Sequence, residues 1–157
     1  METFMYLERL DVSHNQLRAL PASLGHVVTL TLLDASYNNL KRVPPEVAQC
    51  TRLTALHLTN NPTLDSPPPH VVDSGLQACM DFLRDLLVSR QADTLNLNKW
   101  QFHRVPLDLA DYLHITELSM CDNDLLVLPQ QLSDMHNMRH LNVCRNRLPV
   151  CLVCVCV

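Results

Sequence analysis

The chain has 157 residues, 47% of them hydrophobic and 18% charged, with a formal net charge of -4. That length predicts one domain with a hydrophobic core and excludes two independent enzyme domains. A mildly acidic chain without a Lys/Arg-rich run is a poor candidate for binding nucleic acid or an anionic membrane surface. Its two glycines, Gly25 and Gly75, lie too far apart to form a Gly-rich phosphate-binding loop.

The sequence carries no sign of export or of a membrane span. Its first residues lack a basic region followed by an apolar run, so no signal peptide is expected. The longest apolar run, residues 148–157, is shorter than the roughly 20 residues that a spanning helix needs. The seven cysteines, at irregular spacing, do not resemble a secreted disulfide framework. We therefore expect a reducing, cytoplasmic environment.

A 23-residue repeat dominates the chain. Residues 7–17 read L-E-R-L-D-V-S-H-N-Q-L, which fits L-x-x-L-x-L-x-x-N-x-L, and most positions of this frame return in the following repeats. The second half of the unit carries a Leu-Pro or Val-Pro step, which redirects the chain because proline fixes φ and lacks an N–H. Repeats are predicted at about 7–29, 30–52, 53–69, 92–114, 115–137 and 138–148 of a single domain spanning 1–157.

Each repeat is predicted to begin with a short strand whose alternate side chains, such as Leu10 and Val12, point inward. One unit cannot bury its apolar edge alone, so the units are expected to stack with their strands in a parallel sheet. Where each strand ends, an asparagine amide can satisfy backbone groups of its own and of the neighbouring repeat. The predicted asparagine ladder comprises Asn15, Asn38, Asn61, Asn123 and Asn146.

An insertion separates the third and fourth strands, because the interval from Leu56 to Leu95 is considerably longer than one repeat. A helical insert is predicted at about residues 70–91 from apolar residues at helical spacing. These are Leu76, Met80, Leu83 and Leu87. We interpret the insert as a packing element that covers a core edge, with a protruding docking helix as the alternative. Trp100 then replaces the expected asparagine, which predicts a break in the ladder and two blocks of three strands.

The 23-residue L-x-x-L-x-L-x-x-N-x-L unit with Leu-Pro in its second half resembles intracellular leucine-rich-repeat proteins. These include Ras-pathway scaffolds and the repeat regions of Roco-type GTPases. The resemblance covers nearly the whole chain. It implies an α/β leucine-rich-repeat solenoid, with a curved parallel sheet inside and short helices or turns outside. It says little about function, because this architecture carries many unrelated partners.

Both ends of the sequence look like cut repeats. Residues 1–6 resemble the tail of a missing earlier repeat, and residues 149–157 form an atypical Cys-rich tail without the polar cap that such arrays usually need. We therefore expect the sequence to be a slice, a short isoform or a mispredicted end of a longer protein.

The histidines and cysteines form no complete catalytic or metal-binding motif. His136 and His140 have the spacing of helical metal ligands, but the repeat frame places His140 on a strand. Cys121 and Cys144 occupy the same position in consecutive repeats, so they are expected side by side on neighbouring strands. They could form a redox pair or, with His140, a metal site, but two free thiols are favoured because a structural zinc site usually has four ligands. Another partial zinc motif lies in the tail, at Cys151, Cys154 and Cys156.

No group of residues has the nucleophile, base and orienting group that catalysis requires. The sequence therefore predicts a protein that is not an enzyme, with no catalytic residues, no cofactor, no metal and no small-molecule substrate.

The concave face of the sheet is predicted to bind another protein. Its most prominent cluster is Asp11, Asp34, Tyr37 and His57 on three adjacent strands, since a few large or charged residues carry most binding energy. The full predicted set is Arg9, Asp11, His14, Asp34, Ser36, Tyr37, His57, Asn60, Asn96, Lys99, Glu117, Asp122, His140 and Arg145.

The function expected from these features is that of an intracellular protein-interaction module or scaffold in signal transduction. One alternative is a regulatory repeat segment of a larger signalling enzyme, such as a Roco-type GTPase or a ubiquitin ligase. Another is a truncated fragment without a function of its own.

Overall fold

The computed structural model describes residues 4, 6–105 and 109–149. The Cys-rich tail after residue 149, with Cys151, Cys154 and Cys156, lies outside the described residues. Where the sequence predicts one domain, the chain divides into two compact units, residues 1–87 and 88–157. The boundary lies within the helical insert, so the fold divides where the 23-residue pattern is interrupted.

The first unit is built on a three-stranded parallel sheet in the order β1-β2-β3. The strands are β1 (Arg9–Asp11), β2 (Leu32–Asp34) and β3 (Ala55–His57). Equivalent residues of consecutive repeats pair directly, so the register equals the 23-residue period of the sequence. Leu33, in the central strand, is completely buried. The sheet is therefore parallel and in the register that the repeat predicts.

Two short 3-10 helices, Ala22–His26 and Pro45–Gln49, follow the Leu-Pro and Val-Pro steps of this unit. Pro21 and Pro44 have extended backbones, with φ of -72° and -64°, and each directly precedes its helix. Proline suits this position because its fixed φ needs no adjustment there and its missing N–H would have no intrahelical acceptor. The helices bury apolar residues and so close the side of the core opposite the strands.

Gly25 makes the packing between these two helices possible. A Cβ atom on Gly25 would lie 2.3 Å from the backbone oxygen of Glu46, which a side-chain movement cannot relieve. We expect Gly25→Ala to lower the free energy of unfolding by about 2 kcal/mol through overpacking. Urea unfolding followed by circular dichroism measures the loss. Ser23→Ala, at an exposed position of the same helix, should change stability by less than about 0.5 kcal/mol, and equal effects of the two changes would contradict the close approach.

The insert forms two helices, α1 (Pro69–Asp73) and α2 (Leu76–Ser89). Gly75, between them, has a φ of +98°, a conformation that glycine adopts without a steric penalty. Among the residues that the helical spacing singles out, Met80 and Leu83 are buried, whereas the other two are only half-buried. Phe82 and Leu86 are also buried, because a packed helix covers a wider stripe than one residue per turn. This burial favours the packing interpretation of the insert.

The second unit contains another three-stranded parallel sheet, in the order β4-β5-β6. Its strands are β4 (Thr94–Asn96), β5 (Glu117–Ser119) and β6 (His140–Asn142). Short 3-10 helices at Leu109–Tyr112 and Gln130–Asp134 follow the first two strands. The break in the asparagine pattern thus corresponds to two separate groups of three strands. No helix in the described part of the chain is long and apolar enough to cross a membrane.

Candidate functional site

Strands β1 and β2 end in turns closed by their last aspartate. Asp11 Oδ1 accepts a hydrogen bond from the backbone N–H of Ser13 at 2.9 Å. Asp34 Oδ1 accepts one from the N–H of Ser36 at 3.0 Å and another from the Ser36 hydroxyl at 2.6 Å. Ser36 is only 7% exposed, so it offers a partner much less surface than its predicted place on the face implies. Its hydroxyl donates to Asp34 within the turn, where the chain bends back towards the core.

Hydrogen bonds donated by Ser13 also affect the titration of the Asp11 carboxyl. The Ser13 hydroxyl, and then its backbone N–H, hold the pKa of the Asp11 carboxyl below its ordinary value. Because folding lowers this pKa, the hydrogen bonds to the ionised Asp11 carboxylate stabilise the folded state at pH values above the ordinary pKa of aspartate. This stabilisation is lost as the pH falls through the lowered value. Asp11 is therefore ionised at neutral pH.

The asparagine ladder joins consecutive repeats. Asn38 Oδ1 accepts a hydrogen bond from Leu17 N at 2.9 Å, and its Nδ2 donates to the Val12 and Ala35 carbonyl oxygens at 2.9 and 3.2 Å. Equivalent bonds to the preceding repeat are made by Asn61, Asn123 and Asn146.

Asn15 is not such a bridge, contrary to the prediction. Among the described residues, its amide donates to the Val12 and Ser13 carbonyl oxygens of its own repeat, and its side chain is exposed. The physical reason is that the bridging bonds of the other asparagines go to the repeat before them, and β1 is the first strand of this sheet.

The residue before each ladder position has a left-handed backbone, which the repeat pattern does not indicate. In the first unit φ is 53° at His14, 52° at Tyr37 and 56° at Asn60. For residues other than glycine and asparagine this conformation costs roughly 1–2 kcal/mol. The equivalent residues of the second unit, also with positive φ, are Lys99, Asp122 and Arg145. His14, Asn60 and Asp122 are of residue types enriched in this conformation, whereas Tyr37, Lys99 and Arg145 are not.

The left-handed positions bring two aromatic rings together in the first unit. The rings of His14 and Tyr37 stack with centroids 4.2 Å apart and an interplanar angle of 11°. Tyr37 nevertheless remains 50% exposed. Beside this pair, the register aligns Asp11, Asp34 and His57 across the three strands. We call the exposed or half-buried residues Arg9, Asp11, His14, Asp34, Tyr37, His57 and Asn60 the strand face of the first unit.

The remaining predicted partner-binding residues belong to the second unit. Asp122 is half-buried, and its carboxylate accepts a hydrogen bond from the Arg145 guanidinium at 3.2 Å. Such an exposed ion pair contributes little to stability. The others, all exposed, are Asn96, Lys99, Glu117, His140 and Arg145. The predicted set is therefore divided between the two units.

The second unit also contains the predicted cysteine pair. The Sγ atoms of Cys121 and Cys144 are 2.6 Å apart, on neighbouring repeats. No three His, Cys, Asp or Glu residues within the described ranges are grouped to hold a metal ion, so the alternative with His140 as a third ligand is not formed.

The first repeat matches a known sequence family. The sequence model described as Leucine Rich Repeat matches residues 6–27. Comparison with curated protein sequences finds no match. Similar solved structures include the Arabidopsis receptor kinase HAESA in complex with the peptide hormone IDA and the co-receptor SERK1. The sequence identity is 19%. The aligned region covers 92% of this chain and 19% of the HAESA chain, with a TM-score of 0.36.

Two further structures have similar values. The Leptospira interrogans leucine-rich-repeat protein LIC12759 is 19% identical over 90% of this chain and 44% of that chain, with a TM-score of 0.38. The ectodomain of the Arabidopsis thaliana receptor kinase SOBIR1 is 19% identical over 90% of this chain and 72% of that chain, with a TM-score of 0.33. The chain spans about a fifth of the HAESA chain and less than half of the Leptospira protein.

The family match covers the first repeat, and the other repeats share its geometry. Both units repeat the same parallel register at 23-residue intervals, and both contain asparagine amides that bridge consecutive repeats. Together with the match to residues 6–27, these features show that the chain has the α/β leucine-rich-repeat fold.

Proposed function

We propose that the chain is an intracellular protein-interaction module that binds a partner protein through the strand face of its first unit. Leucine-rich repeats typically mediate protein–protein interaction, because stacked repeats present an extended row of exposed strand residues. The single observation that carries the proposal is the stacked pair of His14 and Tyr37, with half of the tyrosine surface exposed. The irregular cysteine spacing supports the intracellular location.

Tyr37 has the properties of an anchor residue for a protein interface. Tyrosine is enriched among the residues that contribute most to binding energy. Its ring is already held against His14, so little side-chain freedom is left to lose when a partner binds. The left-handed backbone at both positions restricts the ring directions further. The pair is therefore organised before binding.

The carboxylates of the strand face favour a basic group on the partner. Asp11 and Asp34 are aligned on neighbouring strands, which lie about 4.8 Å apart in a sheet. Like charges in such positions disfavour folding, whereas a basic side chain of a partner would relieve the repulsion. Arginine or lysine near an aromatic ring gains a further cation–π attraction. A partner segment with a basic side chain fits this surface.

The experiment compares the chain with a variant that removes the binding groups but preserves the turns. In the variant Asp11→Asn/Asp34→Asn/Tyr37→Asn, the amide oxygens can still accept the turn hydrogen bonds, and asparagine tolerates the left-handed backbone. The control variant Tyr6→Asn/Asp73→Asn makes the same kinds of change at exposed positions outside the strand face. Circular dichroism establishes that all three proteins are folded.

Tagged proteins are used to capture partners from cytosol, and captured proteins are identified by mass spectrometry. We expect a partner that the unmodified chain and the control variant retain and the triple variant loses. With the purified partner, the Kd of the triple variant should be at least about tenfold higher. Capture of the same proteins by all three would show that the strand face is not the binding site.

A further inference from the structure

Cys121 and Cys144 form a dithiol at the surface of the second unit. They occupy the same position in consecutive repeats, two residues after β5 and β6. Their Sγ atoms are 2.6 Å apart, and the Cys144 carbonyl oxygen accepts a hydrogen bond from the backbone N–H of Asp122 at 3.1 Å. Cys121 is only 5% exposed, whereas Cys144 is exposed. The Cys144 thiol is therefore accessible to a reagent, and the buried Cys121 thiol lies in contact with it.

The backbone around the pair is held by side-chain amides. The Cys121 N–H donates to Asn98 Oδ1 at 2.6 Å. The carbonyl oxygens of Cys121 and Cys144 accept hydrogen bonds from the amides of Asn123 and Asn146, each at 3.2 Å. Neighbouring strands lie about 4.8 Å apart, which is within the Cα separation that a disulfide spans. No large backbone movement is required for the two sulfur atoms to bond.

We propose that Cys121 and Cys144 are a redox modification site that forms a reversible disulfide between consecutive repeats. A hydroperoxide is the oxidant. The thiolate of the exposed Cys144 attacks the peroxide oxygen, the O–O bond breaks, and the products are a sulfenic acid and water or an alcohol. The thiolate of Cys121 then attacks the Cys144 sulfur, the S–O bond breaks, and water leaves. Two thiols lose two electrons and two protons in total, and one peroxide is reduced.

The other cysteines of the described residues are placed differently. Cys50 and Cys79 are both buried, and their sulfur atoms contact backbone carbonyl oxygens at 3.5 and 3.6 Å. Burial raises the pKa of the Cys79 thiol to about 11, so it carries almost no thiolate at neutral pH. Reactive cysteines need an accessible thiolate. These two thiols are therefore internal references for the reaction of the surface pair.

The rate of oxidation should depend on pH. The hydrogen bond between the two thiols, and then desolvation, raise the pKa of Cys144 above its ordinary value. The negative charge of Asp122 acts in the same direction, whereas Arg145 opposes it. The attacking species is the thiolate, whose fraction increases as the pH approaches this raised pKa. Disulfide formation should accordingly accelerate from neutral to mildly alkaline pH.

The experiment maps the disulfide in the full chain. The reduced protein is treated with hydrogen peroxide, its remaining thiols are alkylated, and it is digested with trypsin without reductant. Cleavage after Lys and Arg places Cys121 in residues 105–139, Cys144 in residues 140–145 and the cysteines after residue 149 in residues 148–157. We expect a linked species of the first two peptides, lighter by two hydrogens than their sum, which a dithiol reductant separates.

Matched variants distinguish this product from nonspecific oxidation. Cys144→Ser should abolish the link, whereas Cys50→Ser and the triple change Cys151→Ser/Cys154→Ser/Cys156→Ser should leave it. Circular dichroism of Cys144→Ser, changed at an exposed position, verifies that the fold is retained. The proposal is overturned if residues 105–139 or 140–145 link only to residues 148–157. It is also overturned if Cys144 proceeds to sulfinic or sulfonic acid without a link.

Discussion

Replacing Phe82 with alanine should lower the free energy of unfolding by about 3–5 kcal/mol. The Phe82 side chain is completely buried in α2, next to the completely buried Leu83. Its loss removes a large apolar surface from the core and leaves a cavity that the surrounding side chains fill only in part. Urea unfolding followed by circular dichroism gives the difference directly.

Val88→Ala is the matched control on the same helix. Val88 is 62% exposed, so its removal costs little packing, and alanine is the better helix former by a few tenths of a kcal/mol. This variant should unfold at the same urea concentration as the unmodified chain or slightly above it. If Phe82→Ala unfolded at that concentration too, α2 would contribute little to the core. The alternative interpretation of the insert, as a docking helix, would then be favoured.

Asn38→Ala should have the second large effect, a loss of about 3 kcal/mol in the free energy of unfolding. The change removes the acceptor for the Leu17 N–H and the donor to the Val12 and Ala35 carbonyl oxygens. Asn38 is 3% exposed, so water cannot easily replace these bonds. The Leu17 N–H is left without its acceptor, which costs roughly 1–3 kcal/mol, whereas the Val12 and Ala35 oxygens each lose one of two donors and keep Asn15 or Asn61.

Asn15→Ala tests whether the cost arises from bridging between repeats. This exposed asparagine bonds only to carbonyl oxygens of its own repeat, so its loss should cost about 1 kcal/mol or less. Both variants are compared in the same urea titration. Equal losses would mean that the bridges to the preceding repeat contribute nothing beyond the local turn.

The architecture of each unit could be predicted because it depends on a periodic pattern. Leucines at the same position of consecutive repeats must meet in neighbouring strands if their apolar sides are to be buried, and Leu10, Leu33 and Leu56 do so. The asparagine positions follow from the same period. A side chain with both donor and acceptor atoms after every strand except β4 has an evident use in satisfying the turn.

The candidate site was less predictable, because membership of a face does not specify what each side chain contacts. Ser36 was assigned to the partner-binding face by its position, yet the turn at Asp34 uses its hydroxyl and buries it. Asn15 fits the repeat pattern but bonds only within its own repeat. Both differences arise from contacts with neighbouring chain segments, which a pattern of single positions does not contain.

The sequence by itself determined the repeat length, the parallel register and the places of the strands, because burial of periodic leucines allows only one in-register stacking. Only the tertiary structure decided the left-handed backbone at His14 and Tyr37, the stacking of their rings, and the approach of the Cys121 and Cys144 sulfur atoms. These features depend on backbone dihedrals and on distances of a few ångströms between repeats. Such quantities are set when the repeats pack, and the identity of residues at equivalent repeat positions does not encode them.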